Sequence, residues 1–485
     1  MSRIRGRRRN RQRARVGAPD AALTANAGLA VITELCARLG VIEAIDAAAG
    51  PIKQRDRGFS AGELLAGIAA AQLAGEDFLV GLDRLRADAA GQQITPVPGL
   101  SSTTAAGLAR RITPAQWEAA ETGLAVVAER MLGLMQPERA AALAGGPVTI
   151  DLDTTDVEVY GRKKRGVAYN HQGQRVGRPH VAAWAETEIV LAADLGSGTD
   201  DPRATAAGLL RRALACLPGA ARAGGRVALR ADAGYFAGQL ARAAHDEHIA
   251  FAIGAKRIAP LWRLLSGIAE DDWADATGME HAQVAVADYC PDWWPATTRL
   301  IIRRVRLDPA QVSADPRSRR RRTLHPDQRA LPFPELARAG VIYGYSFILT
   351  NLDVTTPDKA AAVEHWYRHR TTVESMFRDS KLGAALRHLP SGYPRVNMAW
   401  MWGALLAACM AGWLHQLTAR TAGQEILAGH GVRGGKAMIA TLRWRLIAVP
   451  ARLIRHGRQL ILRLPPGCHL LAEVLARLRE LPAAS

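Results

Sequence analysis

Two periodicities divide the chain. From about Asp20 to Met135, apolar positions recur at helical spacing. "SAGELLAGIAAAQLAG" opens with Ser60 and carries Glu63 three residues on, a capping box ahead of an apolar run. "TPAQWEAAETGLAVVAERML" begins Thr113, Pro114 and, two on, Gln116: an N-cap, a first-turn proline and a second capping box. Just upstream, "SSTTAAGLARR" predicts a short helix with hydroxyls at its start and Arg110 and Arg111 at its end. Groove-reading helices and ordinary capped surface helices share that pattern. At Gly145-Gly146 the pattern changes to short apolar runs. "PVTIDLDTTDVEVYG" reads as a strand through Val148 to Asp153, and "GVAYNHQGQ" and "HVAAWAETEIVLAADLGSG" as further strands. "DPRATAAGLLRRALACL" is a helix opened by Asp201 and Pro202. "GRVALRADAGYF" is a buried strand with Asp232 near its end, followed by a helix, "AGQLARAAHDEH", and a strand, "IAFAIGAKR". Three strands, then helix, strand, helix, strand predicts a mixed α/β domain.

The rhythm breaks from Ile258 to Gly344. This region holds Trp262, Trp273, Trp293 and Trp294, a strand "LIIRRVRL", and the run "RSRRRRT" from Arg317 to Thr323. It reads as an insertion, partly β and partly loop. "YSFILTNLD" then resumes a core strand. The most apolar run, "AWMWGALLAACMAGWL" from Ala399 to Leu414, falls just short of the roughly 18 to 20 residues that span a bilayer. Its Ala and Gly suit close packing, so it reads as a buried core helix rather than a membrane span. "RLIRHGRQLILRL" predicts a hairpin turning at His456-Gly457. The expected organisation is an arm over 1–19, a helical unit over 20–144, an α/β domain in two parts (145–257 and 345–420) around an insertion (258–344), and a hairpin with a helix over 421–485.

Composition sharpens this picture. The chain has 485 residues, enough for two or three domains, and 48% are hydrophobic, enough for a large interior. Lys and Arg number 63 against 45 Asp and Glu, a formal net charge of +18. Such an excess favours an anionic partner, most commonly nucleic acid, although solubility alone also raises basic content. Residues 1–16 hold eight Arg and no acid, a disordered arm in composition, and read as either a phosphate contact or a solvated tail. No apolar segment follows it as a secretory signal requires. The five Cys form no CxxC pair, which suits reduced thiols in a cytosolic protein.

Chemistry concentrates in "YRHRTTVESMFRDSKLG", residues 367 to 383. On one continuous helix, with Tyr367 set at zero, Arg370, Glu374 and Lys381 fall near about 300°, 340° and 320°, and Arg378 near 20°. Trp366, Val373 and Phe377 form the neighbouring apolar stripe. One carboxylate is thus ringed by cations. A surface salt bridge from Glu374 to Arg370 or Arg378 would explain it equally well. Two further acids weigh against that. Asp153 and Asp232 each end an apolar strand, where carboxylates from distant positions converge on one site. Asp151 shares the strand face of Asp153, so the first acid is Asp153 or Asp151.

The spacing Tyr367-x2-Arg370-x3-Glu374-x6-Lys381 resembles the Tyr-Arg-Glu-Lys signature of bacterial insertion-sequence DDE transposases. "DLDTTDVEVY" and "LRADAGYF" resemble the strands that carry their two Asp, over roughly residues 145 to 415. The resemblance implies an RNase H-like mixed sheet flanked by helices, with the β-rich insertion before the Glu helix and a helical DNA-end-binding domain in front. It implies Asp153, Asp232 and Glu374 as a triad for two Mg²⁺ (or Mn²⁺) ions, and favours Asp153 through the following Thr154-Thr155. Tyr367, Arg370, Lys381 and Arg378 would contact DNA, and one of Trp273, Trp293 and Trp294 would stack on a flipped base unless all three pack a small β-domain. The implied activity is cut-and-paste transposition on double-stranded DNA, its terminal inverted repeats and target, by a dimer in the bacterial cytoplasm, nucleoid-associated. The C-terminal hairpin and helix are candidates for dimerisation. A catalytically inactive, domesticated DNA-binding derivative is the alternative, followed by a nuclease that hydrolyses without joining.

Overall fold

A computed structural model describes residues 14–55, 57–224, 226–307, 312–313, 322–323, 342–418 and 437–483. Most of the Arg-rich arm and most of the run "RSRRRRT" lie outside the described residues. The central sheet is built from β1 (Pro147–Thr154), β2 (Arg175–Trp184), β3 (Ile189–Ser197), β4 (Arg226–Ala231) and β5 (Ala250–Ala255). Its order is β3-β2-β1-β4-β5. β2 pairs antiparallel with both β1 and β3, whereas β1, β4 and β5 run parallel. This is the RNase H-like arrangement. The parallel strands read as nearly continuous apolar runs because helices cover both faces.

The sheet continues beyond β5. β6 (Ala282–Ala287), β7 (Arg299–Leu307) and β8 (Ile342–Thr350) add antiparallel, with β8 on β5, β7 on β8 and β6 on β7. Within the segment between Ile258 and Gly344, β6 and β7 therefore extend the sheet, whereas Val312–Ser313 and Arg322–Thr323 pair with each other apart from it. One face is covered by α3 (Pro202–Ala215) and α4 (Gly238–Asp246), whose Leu209, Leu210, Leu240 and Ala244 pack on Ile150, Leu229 and Phe251.

The other face carries a larger core shared by every remaining part. Here α1 (Ala61–Ala74) and α2 (Pro114–Leu134) join the sheet, each opened by the capping box written in its sequence. The central member is α7 (Pro394–Thr418), which contains the apolar run. It is long and apolar enough to cross a membrane, yet 94% of its apolar window is buried inside the fold. It lies so close to α1 that a Cβ on Gly403 would stand 2.4 Å from Ile68 Cγ2, which requires glycine there. Two helices precede α7. They are α5 (Pro357–Arg368) and α6 (Thr371–Leu382). The hairpin of Ala451–His456 and Gln459–Arg463 turns at Gly457, with φ +59°.

The continuous helix expected across Tyr367 to Lys381 is broken at His369-Arg370, where α5 ends and α6 begins. The charges fit the break. His365 and Arg368 lie in the last turn of α5 and Glu374 in the first turn of α6, each the favourable end of its own helix dipole.

Candidate active site

The parallel register of β1 and β4 sets Leu152 opposite Ala231. Asp153 and Asp232, each the next residue, therefore leave neighbouring strands at one height. Asp232 Oδ1 accepts from Gly234 N at 2.8 Å and caps the short turn Ala233–Tyr235. Asp153 Oδ1 accepts from Thr154 N at 2.7 Å. Glu374 is exposed on the first turn of α6 and makes no ion pair or hydrogen bond among the described residues. The salt bridge that would have explained it is not formed. Arg378 is exposed and likewise unpaired among the described residues, and Arg370 turns elsewhere.

The three acids act on one another. The Asp153 carboxyl is pushed up to about 6, chiefly by burial, with Asp232 and Glu374 adding like-charge repulsion against the pull of Arg370. Arg370 Nη2 lies 3.7 Å from Asp153 Oδ2, with side chains 11% and 14% exposed. Its buried Nε has no hydrogen-bond partner among the described residues. A guanidinium with a vacant donor is thus held beside the acids.

Tyr367 lies under this cluster and does not project from it. Its hydroxyl donates to Ala231 O at 3.3 Å, and a Cβ on Gly254 of β5 would stand 2.6 Å from that oxygen. The Gly254 position leaves room for the phenol because glycine carries no side chain. Placement of Tyr367 on an exposed cationic stripe is therefore corrected: the helix break turns it inward onto the strand ends. Lys381 Nζ donates to Thr155 Oγ1 at 2.6 Å and to Asp156 O at 2.8 Å, fixing the loop that leaves β1.

Asp151 has a different role. It is fully buried in a two-pronged ion pair, with Arg230 Nε at 2.7 Å from Oδ1 and Nη2 at 2.8 Å from Oδ2. Arg230 Nη1 also donates to Trp366 O at 2.6 Å, which ties β4 to the end of α5. Asp156 is held by Arg178 at 2.7 Å and Asn170 at 2.8 Å. Of the acids near the end of β1, Asp153 is the one beside Asp232 and Glu374. Sequence reasoning missed Arg230. The available signal was a charged residue inside the apolar run "VALRADAG", which stays buried only when paired.

The tryptophans separate. Trp294 is 5% exposed and packs near Phe236 and Phe251, so its ring is core and is corrected from a stacking candidate. Trp273 lies under the Arg304 guanidinium, 4.2 Å from its ring centroid. Trp293 is 56% exposed.

No group of three or more His, Cys, Asp or Glu among the described residues stands at metal-holding separation. The donor set nevertheless suits a hard divalent cation, because it offers three carboxylates, one of them unpaired and one whose pKa is raised chiefly by burial and further by its neighbours' charge. Additional positive charge would relieve that repulsion.

Residues 8–313 and 335–483 match the family described as transposase DDE domain, group 1. Among solved structures, the chain is similar to the piggyBac transposase in a cryo-EM structure of its synaptic complex with hairpin DNA. The TM-score is 0.42 at 10% identity, over 94% of this chain and 82% of that one. No curated protein matches the chain.

Proposed function

The chain belongs to the transposase DDE domain family, group 1, and on that premise we propose that it is the cut-and-paste transposase of a bacterial insertion sequence of the Tyr-Arg-Glu-Lys group. Asp153, Asp232 and Glu374 are its acid triad. The observation that carries this reading is the meeting of Asp153 and Asp232 at adjacent strand ends, with an unpaired Glu374 acting on Asp153. Two Mg²⁺ or Mn²⁺ ions held by these carboxylates would supply activation of a water or 3′-OH and stabilisation of the leaving oxygen at phosphorus. The substrate is double-stranded DNA, the element's own ends and then a target, bound by a dimer.

The chain's own groups prepare this site. The register of β1 and β4 aligns the two Asp. Lys381 fixes the loop beyond Asp153. Arg370 offsets the charge of the acids while keeping Nε vacant. A phosphate oxygen reaching the guanidinium edge competes with Asp153 for it, because charge-assisted bonds to phosphate are strong. DNA binding then releases the carboxylate it needs. Arg370 therefore serves both roles expected of the cations, holding an acid before substrate and a phosphate after it.

The test is metal-dependent cleavage of duplexes carrying the sequences that flank the gene. Asp153→Asn, Asp232→Asn and Glu374→Gln are each expected to lower cleavage at least about a hundredfold, the scale lost with one preorganised electrostatic group. DNA binding should persist in all three. Asp151→Asn instead is expected to act on stability. Cleavage unchanged by Glu374→Gln would sink the assignment. Binding without any cleavage by the unmodified chain would favour the domesticated derivative.

A further inference from the structure

Outside the acid cluster, cations, half-buried at Lys381 and exposed beyond it, form a run that can be followed contact by contact. It starts at Lys381, which grips the loop at Thr155 and Asp156. That loop leads through Val157–Glu158 into "GRKKRG", residues 161–166, where Arg162, Lys163 and Arg165 are exposed. The turn is fixed by its own backbone. Arg165 N donates to Gly392 O at 3.2 Å, Arg175 donates to Gly161 O at 2.6 Å and to Lys164 O at 2.5 Å, and Lys164 donates to Leu389 O. Gly166, with φ +70°, lies against Pro394.

The next link is aromatic. Tyr393 is 41% exposed, and both Arg110, 3.8 Å from its ring centroid, and Arg165, 5.1 Å away, approach the ring. Arg395 reaches across to Arg110 O at 2.8 Å. Arg111, the following residue, lines a cleft of about 1060 Å³ together with Lys53, Arg55 and Arg57. Among the described residues, no carboxylate pairs with Arg57, Arg110, Arg111, Arg162, Lys163 or Arg165. Folded proteins normally intersperse charges of both signs, since like charges gathered without counter-ions repel. A run of mostly forked donors with an aromatic rung, whose exposed members are not paired with a carboxylate among the described residues, matches a phosphate backbone better than a compact anion.

We propose that this run is the track of a DNA duplex, leading from the acid cluster over the 161–166 turn and Tyr393 to the cleft beside α2. It rests on the transposase reading for what happens at its catalytic end. The contacts are to phosphates, so they position the duplex without reading its sequence.

The experiment uses the full chain and two fluorescent duplexes, one of arbitrary sequence and one bearing the sequences that flank the gene. Affinity is measured by anisotropy over a salt series for Arg110→Gln, Arg162→Gln, Lys163→Gln and Arg165→Gln combined. The log–log salt slope is expected to fall by about one for each phosphate contact removed, equally for both duplexes. Restoring charge with Arg110→Lys, Arg162→Lys and Arg165→Lys, with Lys163 kept, should recover most of the slope. Should the combined variant fail to fold, Lys163→Gln alone, at an exposed side chain, is expected to lower the slope by about one. An unchanged slope in a folded variant overturns the track, whether or not the protein cuts DNA. A chain that binds through these cations and cuts neither duplex supports the track and refutes the catalytic reading. Failure of the unmodified chain to bind any duplex overturns both.

Discussion

Arg230 shows how one side chain can settle a neighbour's role. Its guanidinium takes both oxygens of Asp151, with side chains 5% and 0% exposed, and also reaches Trp366 O. The two acids Asp151 and Asp153 occupy one face of one strand and look equivalent in sequence. They differ because the residue opposite Asp151 in β4 is Arg230, whereas Asp153 stands at the strand end beside Asp232. That distinction depends on which strands pair and in what register, which a single sequence does not encode locally. Glu374 and Asp232 could be proposed from sequence because signature spacing and strand-end position are local features. Removing one partner of a buried pair leaves an uncompensated charge. Arg230→Met is therefore expected to cost about 3–5 kcal/mol in chemical denaturation. Adding Asp151→Leu should return most of that loss, since well-packed apolar residues often replace a buried pair without penalty. A double variant as unstable as the single one would mean that the contact to Trp366, not charge compensation, dominates.

Among the elements, caps and apolar runs were the most readable. The boxes at Ser60 and Thr113 start α1 and α2 where the residues say they should. Less readable was the break between α5 and α6, because neither glycine nor proline marks it. The cue was the placement of charge, basic residues before His369 and an acid after it. Unreadable from one sequence was the way α2 meets the sheet. Glu121 of α2 is 2% exposed and accepts from Ala193 N of β3 at 3.0 Å, while Arg212 of α3 donates to it at 2.9 Å and to Asp194 at 2.8 Å. A helix more than 70 residues earlier in the chain thus closes the edge strand, blunting it against further pairing. Burial lifts the Glu121 carboxyl from 4.5 to about 7, against the pull of Arg212 and the Ala193 N–H. Because the folded value lies above the unfolded one, this group stabilises most below pH 4.5, and that contribution is lost as pH rises through about 7. Glu121→Gln keeps an acceptor for Ala193 N and cannot ionise. Its stability relative to the parent is expected to rise between pH 4.5 and 7 and then level off, as thermal melts at a series of pH values would show. A constant difference across that range would mean that Glu121 is ionised throughout, held by Arg212.

At the level of the whole molecule, the acids and bases are sorted by depth. Glu121, Asp151 and Glu364 are spent in buried pairs with Arg212, Arg230 and Arg303. Those pairs cancel in the total, so the surplus of +18 rests on other residues, among them the cations from Arg162 to Arg57 and the eight Arg of residues 1–16. The total announced an anionic partner. It could not say on which face, since net charge sums over sequence whereas a face is assembled by packing. Arg110 and Arg165, distant in sequence, both approach the ring of Tyr393. The arm can be separated from the track by the same salt measurement. Removing residues 1–16 is expected to lower the slope of log affinity against log salt, by about 0.9 for each phosphate that an arm arginine neutralises. Folding should be unaffected, because the described residues of that segment, 14–16, are exposed. Combining the truncation with the four track substitutions tests geometry. If arm and track hold different phosphates, the two losses of slope add. A combined loss smaller than their sum would place both on one stretch of backbone, and a truncated chain with the full slope would reduce the arm to a solvated tail.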